Sequence, residues 1–227
     1  VCSSDLQLVR SHVPDIIVSD VMMPRMNGYK LCKTIKEDIN ISHIPVILLT
    51  ARDDRQSQIS GYKNGADGYL SKPFEVEMLM ELIRNRLKNR EYTKKRYLNA
   101  GLIPTPEEST ISLTDETFLI KLNSINQENI ENSNLGIQFI CQEVGLGRSS
   151  LYNKLKALTG MGANEYISKL RIEKAITLIS GTDMPFSEIA EKTGFTTPSY
   201  FSTAFKQYTG ETPSQYKERK KKGLADK

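Results

Sequence analysis

Short apolar runs and longer amphipathic segments alternate over the first third of the chain. Three runs read as strands buried on both faces: Asp15-Ile-Ile-Val-Ser-Asp20, Ile44-Pro-Val-Ile-Leu-Leu-Thr50 and Gly68-Tyr-Leu-Ser-Lys72. Each is followed by a helical pattern, at Tyr29–Glu37, Asp53–Asn64 and Glu75–Leu87. Strand and helix in alternation predict a parallel sheet with right-handed crossovers. The last part of the chain carries helical periodicity alone. Ile137–Val144, a turn at Gly145–Gly147 and Arg148–Leu158 form one helix-turn-helix pattern. A connecting helix over Ala163–Ile179 leads to a second, with helices at Ser187–Thr193 and Pro198–Tyr208 around a turn at Gly194–Thr196. The expected fold class is thus an α/β front, with a sheet of three strands, joined to an all-α back.

Punctuation between these halves marks a joint. Lys88–Arg96 extends the last front helix into a basic end, and Ala100–Ser112, with Gly101, Pro104 and Pro106, reads as a linker. Thr114 is the expected N-cap of a leading helix with acids in its first turn, and the Asn- and Glu-rich stretch after it reads as a loop. In the back half, Thr197 is expected to cap a helix with Pro198 at its first position. Thr212 and Gln215 fit a capping box for the final helix. The expected divisions are residues 1–6, set aside as a non-native scar (Val-Cys-Ser-Ser-Asp-Leu), then 7–90, 91–134 as linker and leading helix, 135–222, and a tail at 223–227.

Composition narrows the classes. The chain has 227 residues and a formal charge of +4. No apolar run approaches the roughly 18 residues of a membrane span. Three cysteines and two histidines show no metal-ligand spacing, which suits a reducing cytoplasm. Charge is unevenly spread: +4 over residues 1–104, −5 over 105–135 and +5 over 136–227. A basic end behind an acidic joint points to two modules with different partners. No phosphate-binding loop, catalytic triad or metal cluster is legible, so the expectation is a protein that is not an enzyme.

The candidate chemistry lies at the strand ends. In a parallel sheet the carboxyl ends of the strands form the site. Asp20, Thr50 and Lys72 therefore converge on one edge. A carboxylate can attack phosphorus and carry an acyl phosphate, a lysine neutralises phosphoryl charge, and a threonine hydroxyl bonds one of its oxygens. In the back half, Leu151 with Leu155, and Phe201 with Phe205, stand four apart as core pairs. That leaves Ser149, Tyr152, Asn153 and Lys156 on one helix, and Ser199, Ser202, Thr203 and Lys206 on the other, for a DNA groove. The connecting helix spans about 25 Å at about 1.5 Å per residue. Adjacent major grooves lie about 34 Å apart on one face, so two such helices can enter neighbouring grooves.

The motifs DIIVSDVMMPRMNGYKLC, PVILLTA and GADGYLSKPF resemble the receiver domain of two-component response regulators. The resemblance implies that Asp20 is the phosphoacceptor and that Thr50 and Lys72 bind the phosphoryl group. It makes Tyr69 the aromatic that switches with Thr50, Pro24 and Gly28 the shapers of the following loop, and Lys72–Pro73 a cis bond. It also implies Mg2+, held by Asp20 and the Met22 carbonyl. Receivers have five strands, with an acidic pair after the first. Here the first strand, first helix and second strand are missing, and the magnesium site with them.

Residues RSSLYNKLKALTG, NEYISKLRIEKAITLI and FSEIAEKTGFTTPSYFSTAFKQYTGETPSQY resemble the DNA-binding domain of AraC-type regulators. That likeness puts Arg148, Ser149, Tyr152 and Asn153 in one groove and Pro198, Ser199, Ser202 and Thr203 in the next. Family members often carry a basic side chain where Thr203 stands. The order of the two resemblances implies the C-terminal end of a hybrid two-component regulator. Its expected partners are double-stranded promoter DNA, a histidine kinase (one fused upstream included) and a second copy on DNA. Membrane contact is not expected of this stretch, and inner-membrane anchorage is left open for a longer parent. A relay or sink for phosphoryl groups, or a fragment that binds DNA without phospho-control, are the alternative readings.

Overall fold

The computed structural model describes residues 3–24, 26–51, 64–100 and 112–225. The helix expected over Asp53–Asn64 lies outside these residues except for Asn64, as does most of the linker. Among the described residues the chain forms three strands and ten helices. It divides into two compact units, one of residues 1–120 with 149–160, the other of 121–148 with 161–227.

The first unit opens with α1 (Ser3–His12), β1 (Ile17–Asp20), α2 (Gly28–Glu37), β2 (Val46–Thr50), β3 (Gly68–Ser71) and α3 (Val76–Ala100). The strands pair in parallel in the order β1-β2-β3, as the alternation predicts. Ile17 stands opposite Val46, Asp20 opposite Leu49 and Thr50 opposite Ser71. Asn27 starts α2 by accepting from the Lys30 N–H at 2.9 Å. Leu31, Cys32 and Ile35 on one face of α2 are buried with Ile41, Ile44, Val46 and Leu48. Leu6 and Val9 of α1 pack on this cluster. Burial pushes the Cys32 thiol up to about 12, which leaves it unreactive. Helix α3 runs on through Lys88–Arg96 to Ala100, as expected.

The leading helix α4 (Leu113–Asn129) departs from expectation at both ends. Its first turn is closed by Ser112, whose Oγ accepts from the Asp115 N–H at 3.2 Å. Thr114 is not the cap; its hydroxyl donates to the Lys36 carbonyl at 2.8 Å. The stretch expected as a loop is helical through Asn129. Buried Ile125 and Ile130 hold it to the interior, and Asn126 and Asn129 donate to the carbonyls four residues back. Local polarity favoured a loop, and packing overrode it.

The second unit holds α5 (Ile137–Val144), α7 (Ala163–Gly181), α8 (Phe186–Lys192), α9 (Pro198–Thr209) and α10 (Pro213–Ala225). Between α5 and α7 in sequence, α6 (Arg148–Thr159) belongs to the first unit from Ser149 onward. Its second-unit core joins Ile172, Ala175 and Ile179 of α7 to Ile189, Phe195, Phe201, Phe205 and Tyr216. Four rings form a chain, with centroids 5.3 Å apart from Phe195 to Phe201, 5.7 Å on to Phe205 and 5.6 Å on to Tyr216. Gly194 turns α8 into α9 at φ +73, and a Cβ there would collide with the Ile130 carbonyl oxygen. The capping box at the start of α10 is present: Thr212 N–H donates to Gln215 at 2.9 Å, and Gln215 N–H to Thr212 at 3.3 Å.

His43, just before β2, is 6% exposed, and neither ring nitrogen has a hydrogen-bond partner. Burial, with Lys154, Arg90 and Lys36 nearby and only Asp115 opposing, lowers its pKa to about 3. The folded state therefore keeps it neutral while the unfolded chain protonates below its ordinary 6.5. Stability from this group is complete above pH 6.5 and is lost as pH falls toward 3. Between pH 7.5 and 5.0 the expected loss from His43 is about 2 kcal/mol. Urea unfolding of wild type and His43→Leu at both pH values checks it; the same pH dependence in the variant would clear His43.

Candidate functional site

Parallel pairing delivers the expected convergence. Asp20 and Thr50 are the last residues of β1 and β2, and Lys72 follows the last residue of β3. The Lys72 ammonium is ion-paired to Asp20 Oδ2. The Met22 N–H donates to Asp20 Oδ1 at 2.9 Å. Lys72 first, and the Met22 amide second, hold the Asp20 carboxyl below the usual carboxylate range. The group is thus kept ionised, as a nucleophile requires. Thr50 is 2% exposed, and its carbonyl accepts from the Lys72 N–H at 2.6 Å. The Tyr69 hydroxyl lies 3.3 Å from that of Tyr29. The Lys72–Pro73 peptide is cis. Gly28 lies against the Asp20 peptide so closely that any Cβ would overlap the Asp20 carbonyl oxygen.

The residues present do not fit a magnesium site. Among the described residues no group of three His, Cys, Asp or Glu side chains comes together. Asp20 and the Met22 carbonyl are too few oxygen ligands for a cation that prefers an octahedral shell, and Asp20 already serves Lys72.

The back half places its groove candidates outward. On α6, Arg148, Ser149, Tyr152 and Lys156 are exposed and Asn153 is half-buried, while Leu151 and Leu155 are fully buried. On α9, Thr197, Pro198, Ser199, Thr203 and Lys206 are exposed and Ser202 is half-buried over the buried Phe201 and Phe205. Thr197 caps α9 by accepting from the Tyr200 N–H at 3.2 Å, with Pro198 at the first position. Tyr200, which the apolar spacing does not single out, is exposed beside these residues. The basic end is largely engaged locally: Lys217 with Asp183 at 3.2 Å, Arg219 with Glu211 at 2.7 Å and Lys222 with Glu218 at 2.9 Å.

One residue the groove pattern omits is Lys154. It is fully buried on α6, with Asp115 and Ser42 as partners. Its spacing from Leu151, Leu155 and Leu158 puts it on the apolar stripe, which is the signal in the sequence.

Comparison with known proteins follows the same division. Residues 3–84 match the response regulator receiver domain, and residues 140–219 match a helix-turn-helix domain. The chain is therefore a receiver region followed by a helix-turn-helix region. It is 42% identical over 214 residues, 94% of its length, to Histidine kinase P4 of Formosa agariphila, of which it covers 16%. It is 47% identical over 83 residues to the heme response regulator HssR of Staphylococcus saprophyticus, covering 37% of this chain and 36% of that protein. Among solved structures, the C-terminal domain of AraT, a response regulator from Geobacillus stearothermophilus, aligns at 30% identity and a TM-score of 0.43, over 45% of this chain and 84% of that one. The chain thus spans about a sixth of the kinase and about a third of the regulator. No helix among the described residues is long and apolar enough to cross a membrane.

The Thr197 cap gives a direct check on α9. Thr197→Ala is expected to destabilise the second unit by about 1 kcal/mol, and Thr197→Gly by only a few tenths of that. Denaturant unfolding of both variants measures the difference; equal losses would remove the side-chain cap from the account.

Proposed function

We propose that this chain is the output end of a phosphorylation-controlled transcription regulator. The observation that carries the reading is the order of the two matched regions, receiver then helix-turn-helix, within one continuous relative. In the intact protein Asp20 takes a phosphoryl group from a kinase histidine. Lys72 neutralises its charge, Thr50 bonds it, and Tyr69 moves with Thr50. A receiver holds Mg2+ beside its phosphoacceptor, and of that shell this chain would supply Asp20 and the Met22 carbonyl. The regulator works in the cytoplasm, on promoter DNA, as a homodimer, and is not itself a catalyst. A kinase name on the relative that spans both regions supports a kinase fused upstream.

DNA reading falls to the two exposed helix faces. Arg148, Ser149, Tyr152, Asn153 and Lys156 of α6 serve one groove. Thr197, Pro198, Ser199, Ser202, Thr203 and Lys206 of α9 serve another. Polar side chains near a helix start reach base edges, while lysines hold phosphates. Titration at stated salt concentrations tests this. The chain is expected to prefer a duplex selected from a random library over scrambled DNA, and equal affinity for both would refute specific reading. Lys206→Ala is expected to weaken both duplexes alike and to reduce the salt slope by roughly 0.9.

A second reading concerns this chain alone. Since the ligands around Asp20 do not suffice for the cation, DNA binding here runs without phospho-control. Asp20→Ala is then expected to leave DNA affinity within about twofold, an energy change of at most about 0.4 kcal/mol. A larger change in the same titration would restore control by Asp20.

A further inference from the structure

Lys154 is a charged residue on the buried face of α6, and polar partners close around it. Its ammonium lies 2.5 Å from Asp115 Oδ1, 2.8 Å from Ser42 Oγ and 5.1 Å from the centre of the Phe118 ring. Ser42 in turn donates to Asp115 Oδ1 at 2.7 Å, and Ser112 donates to Asp115 Oδ2 at 2.8 Å. Lys154 and Ser42 are fully buried and Asp115 is 2% exposed. All five residues belong to the first unit.

An apolar side chain would fill this place on α6 without the cost of desolvating a charge. What an ion pair adds is direction. Apolar contact chooses which face of a helix turns inward, but burial is non-directional and sets the exact bearing less sharply than a charge pair. A buried ammonium held by two oxygens resists it strongly, since any roll strands a charge. At 3.6 residues per turn, Tyr152 and Lys156 fall about 160° from Lys154, and Arg148 and Ser149 lie on the same far side. The residue with the fixed bearing therefore stands diametrically behind the groove face.

We propose that Lys154 is a positioning residue for DNA reading: its buried pairing with Asp115 and Ser42 sets the rotation of α6 that presents Arg148, Ser149, Tyr152 and Lys156 to a groove. The proposal rests on the DNA-binding reading above. Ser42 lies in the segment that enters β2, whose far end is Thr50, so the setting of α6 is tied to the strand that carries a switch residue.

The test uses the full chain and the duplex it selects from a random library, with a scrambled duplex as control. The readout is the ratio of the two dissociation constants, with the melting temperature measured beside it. In the double variant Asp115→Leu with Lys154→Met the fold is expected to keep its melting temperature, because apolar packing replaces the pair. Its ratio is expected to fall at least about tenfold, through affinity for the selected duplex alone. Ser42→Ala, which keeps the ion pair, is expected to fold and to lose about threefold in the ratio. Either folded variant with the wild-type ratio overturns the proposal, and so does an equal loss on both duplexes. If wild type enriches no sequence, DNA reading itself falls, and the positioning role falls with it.

Discussion

Parallel pairing of three strands governs the front half. With Asp20 opposite Leu49 and Thr50 opposite Ser71, the strands finish together, and residues separated by some fifty positions in the chain share one edge. The register is fixed by burial: Val46, Ile47 and Leu48 are all fully buried, so a slip of one residue would turn a packed side chain toward the wrong layer. The chemistry at the edge is thus a by-product of core packing. Lys72 can neutralise Asp20 only because β3 ends one residue earlier, level with Thr50.

The two units hold themselves together by different means. In the second, an unbroken run of rings from Phe195 to Tyr216 fixes α8, α9 and α10 on α7. In the first, the apolar cluster under β1 and β2 sits next to a polar one, where Lys154, Asp115, Ser42 and the unpartnered His43 are all buried. Apolar packing tolerates small shifts. A polar cluster does not, and it responds to protons and to the loss of a single hydroxyl.

Much of this was legible in the sequence because it depends on periodicity. Strand ends, the two helix-turn-helix patterns, the Thr197 cap and the Phe201–Phe205 pair all follow from spacing and local chemistry. The exceptions have a common cause. The Asn-rich end of α4 is helical since Ile125 and Ile130 find burial that local propensity cannot anticipate. Ser112 replaces Thr114 as the cap because the Lys36 carbonyl claims the Thr114 hydroxyl from 78 residues away. Lys154 stands on the apolar stripe of α6, but its partners Asp115 and Ser42 are distant in the chain and no spacing points to them. Each is a long-range contact overriding a local preference, and pattern alone carries no long-range information.

Gly28 has a consequence of another kind. A methyl group at that position has nowhere to go but into the Asp20 peptide. The nearest relief is displacement of the Asp20 backbone, and the Met22 N–H, two residues on, donates to the Asp20 carboxylate. An enlarged residue there would press on the backbone that carries the Asp20 carboxylate. A change at Gly28 would therefore reach the strand-end carboxylate through the backbone, without touching the Asp20 side chain itself.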